Sequence, residues 1–178
     1  MKPKCLIACL EITLLSALIF ACSCDDKLNN IPAIDKNPSD TAIAVNWVGT
    51  DIVYDSTLEK KDYSCIYFHA SWCGYCKKLE SETFRDPTVS KIFSESFNMA
   101  KIDIDSDTLV RYYDSAVTCN DLARIYQISG IPDLCFFGKK GNYIGRATGY
   151  RNAAGLAPIL EDIRDGKYGQ KLSNNMHP

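Results

Sequence analysis

The sequence predicts an α/β domain, a central mixed sheet flanked by helices on both faces, and three observations predict it. The run Cys65-Ile66-Tyr67-Phe68 is apolar enough for a sheet centre covered on both sides. Strand-like and helix-like segments alternate along most of the chain that follows the polar front. Two strand-like runs near the end, Leu134 to Phe137 and Tyr143 to Gly149, flank a turn rich in Gly and Lys. They read as an antiparallel hairpin, which makes the sheet mixed.

Each element follows from local punctuation. Asp25 to Thr41, with Asn29, Asn30, Pro32, Asn37, Pro38 and Ser39, has neither strand nor helix period and suits a tether, so the domain should begin near Ala42. Ile43, Val45 and Trp47 alternate with small or polar residues as a first strand, and Asp51 to Lys61 supplies a short helix under it. Cys65 to His69 is the next strand. A helix from Cys73 to about Phe84 must stop before Pro87, because a residue preceding proline avoids the α region. Asp86-Pro87 opens another helix, with Val89, Ile92 and Phe93 on one side. Ala100, Ile102 and Ile104 alternate as a strand, whereas Asp105 to Thr118 is less regular. A helix over Asn120 to Gln127 gathers Leu122, Ile125 and Tyr126 on one face, and Gly130 is placed to end it. After the hairpin, Asn152 caps a last helix carrying Leu156, Ile159, Leu160 and Ile163, although Gly155 and Pro158 weaken its beginning. The expected layout is a signal over 1–21, a tether over 22–41, one domain over 42–165 and a polar tail over 166–178, with no internal repeat.

The front of the chain points to export. Met1 to Lys4 carry two lysines, and the apolar stretch Cys5 to Ala21, interrupted by Glu11, is too short for a spanning helix and reads as a secretory signal. Ile19-Phe20-Ala21-Cys22 resembles a bacterial lipobox, which makes Cys22 the expected lipidation site; an ordinary cleaved signal is the alternative. With 178 residues, 46% hydrophobic and 24% charged, the chain can bury a core of ordinary size. A net charge of −2 and no basic stripe argue against a nucleic-acid partner. Nine cysteines suit an oxidising compartment.

The most informative segment is Trp72-Cys73-Gly74-Tyr75-Cys76-Lys77, set where a strand gives way to a helix. Cysteines three apart on a first helical turn can meet the Cα separation of roughly 4.4–6.8 Å that a disulfide needs. The reactive species is the thiolate, and a free cysteine near ~8.5 is mostly protonated at neutral pH. Unpaired N–H groups and the macrodipole at a helix start favour the anion, so Cys73 should be the more acidic and more exposed sulfur and Cys76 the resolving one. Gly74 is expected to let the backbone turn tightly, and Tyr75 to offer an aromatic surface beside the sulfur. A structural zinc half-site is the rival, but Cys119 and Cys135 stand far apart and His69 is the only nearby imidazole, so no metal is expected. Cys65 and Cys135 fall on central strands and read as small buried hydrophobes, with a second disulfide involving Cys119 the other possibility. His69 reads as a packed strand-end side chain, with a proton relay as the alternative. The Tyr112-Tyr113 pair reads as local packing.

These residues resemble the thioredoxin family. The signals in order are Trp72-Cys73-Gly74-Tyr75-Cys76-Lys77, Ala100-Lys101-Ile102-Asp103-Ile104-Asp105, Gly130-Ile131-Pro132 heading a strand, and Gly141 with Gly149 around the second hairpin strand. The resemblance implies a thioredoxin fold from about Ala42 to Arg164, an Ile131–Pro132 bond that is cis and lies beside the disulfide, and Trp72 on the exposed rim. Two departures stand out. The family's buried acid, six residues before the first cysteine, is replaced by Tyr67, although Lys101 matches the lysine that accompanies it and is a possible tuning residue. Gly74-Tyr75 replaces Gly-Pro and is the pair seen in DsbC-type periplasmic isomerases, but Asp25 to Thr41 is far too short for their dimerisation domain. The segment Ser106 to Thr118 looks inserted; with Gly149-Tyr150-Arg151 and Asp165-Gly166-Lys167-Tyr168 it resembles an exported, SoxW-like branch of thioredoxins.

The expectation is a monomeric, periplasmic, membrane-tethered thiol-disulfide oxidoreductase without a cofactor beyond a redox-active Cys73–Cys76 disulfide. Its partners would be protein or peptide disulfides, docked along Trp72, Gly74, Tyr75, Ile131 and Pro132, together with a membrane electron donor. Reduction is the favoured direction, because Ile131 before the matched proline is what reducing thioredoxins carry. Isomerase or oxidase activity, or a metal-binding or apocytochrome-handling lipoprotein, are the alternatives.

Overall fold

A computed structural model describes residues 44–55, 58 and 60–168. The signal, the whole tether with Cys22, and Ile43 lie outside the described residues.

The elements are β1 (Trp47–Val48), α1 (Asp51–Tyr54), β2 (Tyr63–His69), α2 (Gly74–Lys78), α3 (Pro87–Ser96), β3 (Phe97–Asp103), β4 (Leu109–Tyr112), β5 (Ser115–Thr118), α4 (Cys119–Ile125), β6 (Asp133–Gly138), β7 (Tyr143–Thr148) and α5 (Ala153–Arg164). The main sheet is five-stranded in the order β1-β3-β2-β6-β7. β1, β3 and β2 run parallel, while β6 and β7 run antiparallel to their neighbours, so the sheet is mixed as the closing hairpin predicted.

β2 is central and its segment Ser64–Phe68 is buried, which is why that run carries no polar alternation. On one face Cys76, Leu79, Val89, Ile92, Phe93, Leu156, Leu160 and Ile163 from α2 and the turn that follows it, α3 and α5 close over Tyr67, Met99, Leu134 and Phe136. On the other, Val53, Tyr54, Leu122 and Ala123 from α1 and α4 cover Ile66, Phe68, Ile102, Cys135 and Phe137. Helix starts are capped by side chains. Asp86 Oδ1 accepts from the amides of Thr88 (2.9 Å) and Val89 (3.2 Å), Thr118 Oγ1 from Asp121 (3.0 Å), and Asn152 Oδ1 from Gly155 (3.0 Å). Each such cap is worth about 1 kcal/mol.

Several boundaries differ from the sequence reading. The first strand is only Trp47–Val48, with Val45 ahead of it outside any strand, and α1 stops at Tyr54 instead of reaching Lys61. Asp105 to Thr118 contains a two-stranded hairpin, β4 with β5, paired Leu109 to Thr118 through Tyr112 to Ser115. Its turn is Tyr113-Asp114 in place of the Asn-Gly or Asp-Gly that marks such loops, and Tyr113 takes φ 50°. Packing holds it there: its ring lies 4.9 Å from that of Tyr54, and its hydroxyl donates to the Gly141 carbonyl at 3.4 Å. α4 spans Cys119–Ile125, Ile125 is exposed, and the left-handed residue after it is Gln127 (φ 52°), not Gly130. In the stretch read as tail, Tyr168 packs on β7. Its hydroxyl donates to the Arg146 carbonyl at 3.4 Å, and a Cβ at Gly145 would stand 2.5 Å from its ring.

Candidate active site

Cys73 is the N-cap of α2, with extended backbone, and its Sγ accepts the Cys76 N–H at 3.1 Å. The two sulfurs are joined as a disulfide across a Cα–Cα distance of 5.2 Å. Exposure separates them in the expected direction, 5% for Cys73 and 1% for Cys76. Gly74 lies in the first turn of α2 and a Cβ there would meet nothing within 4 Å, so the backbone does not require glycine at this position.

The rim is aromatic. Trp72 is 67% exposed, and its indole N–H donates to Asp105 Oδ2 at 2.7 Å. Tyr75, 65% exposed, lies 6.0 Å from the Tyr150 ring, and the Lys78 ammonium lies over that ring, 4.9 Å from its centroid. The Ile131–Pro132 bond is cis, and the Ile131 carbonyl oxygen stands 3.8 Å from Cys73 Sγ. The Pro132 carbonyl accepts the Gly149 amide at 2.8 Å, which ties this loop to the end of β7.

Beneath the disulfide, position 67 holds a phenol. The Tyr67 hydroxyl is 3.4 Å from the Cys76 carbonyl oxygen and 3.2 Å from Glu80 Oε1. Lys101 is not a lone strand lysine, since its ammonium sits 2.9 Å from both Glu80 oxygens. Glu80 was missed in the sequence because it belongs to a stretch read as ordinary helix. After Lys78 the helix widens into a π turn over Leu79–Thr83, closed by the Phe84 amide to the Leu79 carbonyl at 2.9 Å. Such turns change which side chains face inward and often occur at functional positions. His69 stacks on Tyr67 at 5.4 Å; burial, with Lys101 next, holds its imidazole below the usual value.

Among the described residues the remaining cysteines, Cys65, Cys119 and Cys135, are free and buried. Cys65 and Cys135 belong to opposite faces of the sheet, so they do not pair. Burial raises the Cys65 and Cys119 thiols and pushes Cys135 up to about 12, which leaves all three poor nucleophiles.

Asp133, directly after Pro132, was also missed. It is 1% exposed, its Oδ2 accepts from the Thr148 hydroxyl at 2.9 Å, and its Oδ1 has no partner. Burial raises this carboxyl above its ordinary value, against the opposing pull of Thr148 and Arg146. The folded chain therefore holds the proton more tightly than the unfolded one. Its contribution is fully present below the unfolded value, about 3.9, and is lost as pH rises through the raised folded value. Asp133→Asn, neutral throughout, should gain stability relative to the parent as pH rises from about 4 to 7. Urea midpoints across that range check this, and a gap independent of pH would refute it.

Residues 54–164 match the thioredoxin-like domain family. The chain is 30% identical over 108 residues to a protein disulfide-isomerase of Ricinus communis, covering 61% of this chain and 20% of that one. It is 28% identical over 168 residues to the thiol:disulfide interchange protein DsbD of Tatumella citrea, covering 92% of this chain and 27% of the relative. It thus spans about a fifth to a quarter of the length of these two curated relatives. A thioredoxin-fold protein from Helicobacter pylori superposes with a TM-score of 0.57 at 20% identity, covering 68% of this chain and 83% of that one, a likeness of fold. With a match over residues 54–164, more than half of the chain, the chain belongs to the thioredoxin-like domain family.

Proposed function

We propose that this protein is a thiol-disulfide oxidoreductase that reduces protein disulfides, held at a bacterial membrane and facing the periplasm. The observation that carries the reading is the Cys73–Cys76 disulfide at the start of α2, with the Ile131 carbonyl beside Cys73. In the reduced state the Cys76 N–H that points at Cys73 Sγ stabilises a thiolate there. That thiolate attacks a substrate disulfide, a mixed disulfide forms at Cys73, and Cys76 resolves it. Trp72, Tyr75 and the Ile131-Pro132 loop form the surface along which an extended substrate segment docks, with main-chain bonds that accept many sequences.

Cys22 is the lipid anchor in this reading, and the inserted hairpin with Tyr150 and Tyr168 supports membership of a SoxW-like branch. Because the periplasm is kept oxidising, steady reduction needs a membrane electron donor. The relative named a thiol:disulfide interchange protein favours exchange chemistry, while the one named a protein disulfide-isomerase favours isomerisation as the second reading. A midpoint potential near that of thioredoxin, about −270 mV, is expected; a value near −180 to −120 mV would favour the isomerase or oxidase instead. Fatty-acid labelling of cells should mark the parent and not Cys22→Ser, and labelling of both or neither would refute the anchor.

A further inference from the structure

Two loops meet beside the disulfide, and one buried side chain stands behind both. The Ile131 carbonyl lies 3.8 Å from Cys73 Sγ, and the Pro132 carbonyl accepts the Gly149 amide at 2.8 Å. The next residue, Asp133, stands opposite Thr148 in the register, and its Oδ2 accepts the Thr148 hydroxyl at 2.9 Å. Consecutive residues of the docking loop are thus bonded to consecutive residues at the end of β7. Backbone alone supplies the first bond; the second needs this side chain. Asp133 is 1% exposed, and its Oδ1 has no partner. A bare buried oxygen is tolerated far better on a neutral carboxyl than on a carboxylate, because the charge needs donors that the site does not offer.

We propose that Asp133 is a positioning residue for substrate docking, clipping the Ile131–Pro132 loop to β7 through Thr148 and loosening the clip when the carboxyl loses its proton. The inference rests on the docking reading above. Leu134 packs in the cluster that holds Cys73 and Cys76, whereas Cys135 faces the other side of the sheet, so Asp133 shares the Cys135 side. It therefore acts on the dithiol through the loop and not by touching a sulfur.

The surroundings leave the ionised form poorly served. The charged and titratable groups acting with Asp133 are Arg146 and Tyr143 on β7, Cys135 on β6 and Cys65 on β2. The β2 residue directly opposite is Phe68, which offers no side-chain donor. Arg146 is the cation of this group, and its guanidinium is engaged at the end of α4, donating to the Tyr126 carbonyl at 3.2 Å and the Gln127 carbonyl at 3.3 Å. Loss of the proton leaves Oδ1 charged and without a donor. Water reaches it when the start of β6 parts from β7, and that parting shifts the main-chain groups along which an extended segment would dock.

The test uses the full chain in two independent measurements. Amide exchange reads the clip: protection of the Gly149 N–H should fall about threefold or more as pH rises from about 4 to 8, and stay level in Asp133→Asn. Reaction of the reduced chain with two disulfides reads docking. One is Ellman's reagent, and the other is a short end-blocked peptide, free of ionisable side chains, whose cysteine carries the same thionitrobenzoate. Both release one leaving group and both need the same Cys73 thiolate, so the ratio of their rate constants, peptide over reagent, cancels that thiolate. The ratio should fall about threefold or more over the same pH range in the parent and stay level in Asp133→Asn. Thr148→Val, which keeps the shape and loses the hydroxyl, should hold the ratio low at every pH, and Thr148→Ser should restore the parent profile. A parent ratio or a Gly149 protection that does not change with pH, or a fall that persists in Asp133→Asn, would overturn the inference. The disulfides are supplied as reagents, so a chain inactive on protein substrates would sink the oxidoreductase reading and still report on Asp133.

Discussion

Cys73→Ser is expected to abolish disulfide exchange, whereas Cys76→Ser is expected to stall with substrates covalently held at Cys73. The asymmetry follows from geometry. Cys73 caps α2, is the more exposed sulfur, and faces the Ile131 carbonyl on the docking side; Cys76 sits one turn in, under the rim, with its attack confined to Cys73. Losing the nucleophile should reduce turnover to the rate of the uncatalysed exchange, a fall of at least about a thousandfold. Losing the resolving thiol leaves the first attack intact, so mixed disulfides should accumulate and be released by dithiothreitol. An insulin-reduction assay reads the first outcome, and non-reducing electrophoresis of cell extracts reads the second. Equal residual activity in both variants, with no trapped species in either, would defeat the assigned roles. The partners recovered from Cys76→Ser would also name the substrate class.

Phe136→Ala should have the largest effect on stability. Phe136 is fully buried on β6 beneath the face that carries α2, α3 and α5, and its ring meets Phe97 edge-on at 6.0 Å. Truncating such a ring costs about 3–5 kcal/mol, from lost transfer energy plus the cavity left behind. Domains of this kind are held by about 5–15 kcal/mol, so a large share of the total would go. Urea unfolding should show a lower midpoint with an unchanged slope, and a loss below about 1 kcal/mol would mean the site collapses around the gap. Because β6 follows directly from Ile131-Pro132, exchange should fall with the folded fraction and be normal in the cold.

The dithiol was legible because its chemistry is local: two cysteines, three residues apart, at a strand-to-helix junction need no distant partner to be recognised. The central strand was equally plain, since burial on both faces removes polar alternation from Cys65 to Phe68. The β4–β5 hairpin was not, because Tyr113-Asp114 carries no turn signal and tertiary contacts with Tyr54 and Gly141 hold the left-handed residue. Ile125 misled for a related reason: helical periodicity marks a face, but only packing decides whether a neighbour covers it, and none does so fully here.

By itself the sequence determined the mixed α/β architecture and the reactive pair, because hydrophobic period, caps and cysteine spacing act over a few residues; the loop beside the pair was expected only through the family resemblance. Only the tertiary structure decided what surrounds the pair. Glu80 and Lys101 are brought together from a helix and a strand, Asp133 is buried by strands that are distant in the chain, and Trp72 finds Asp105 across the sheet's end. Contacts between residues far apart in sequence depend on how elements pack, which no run of a few residues encodes.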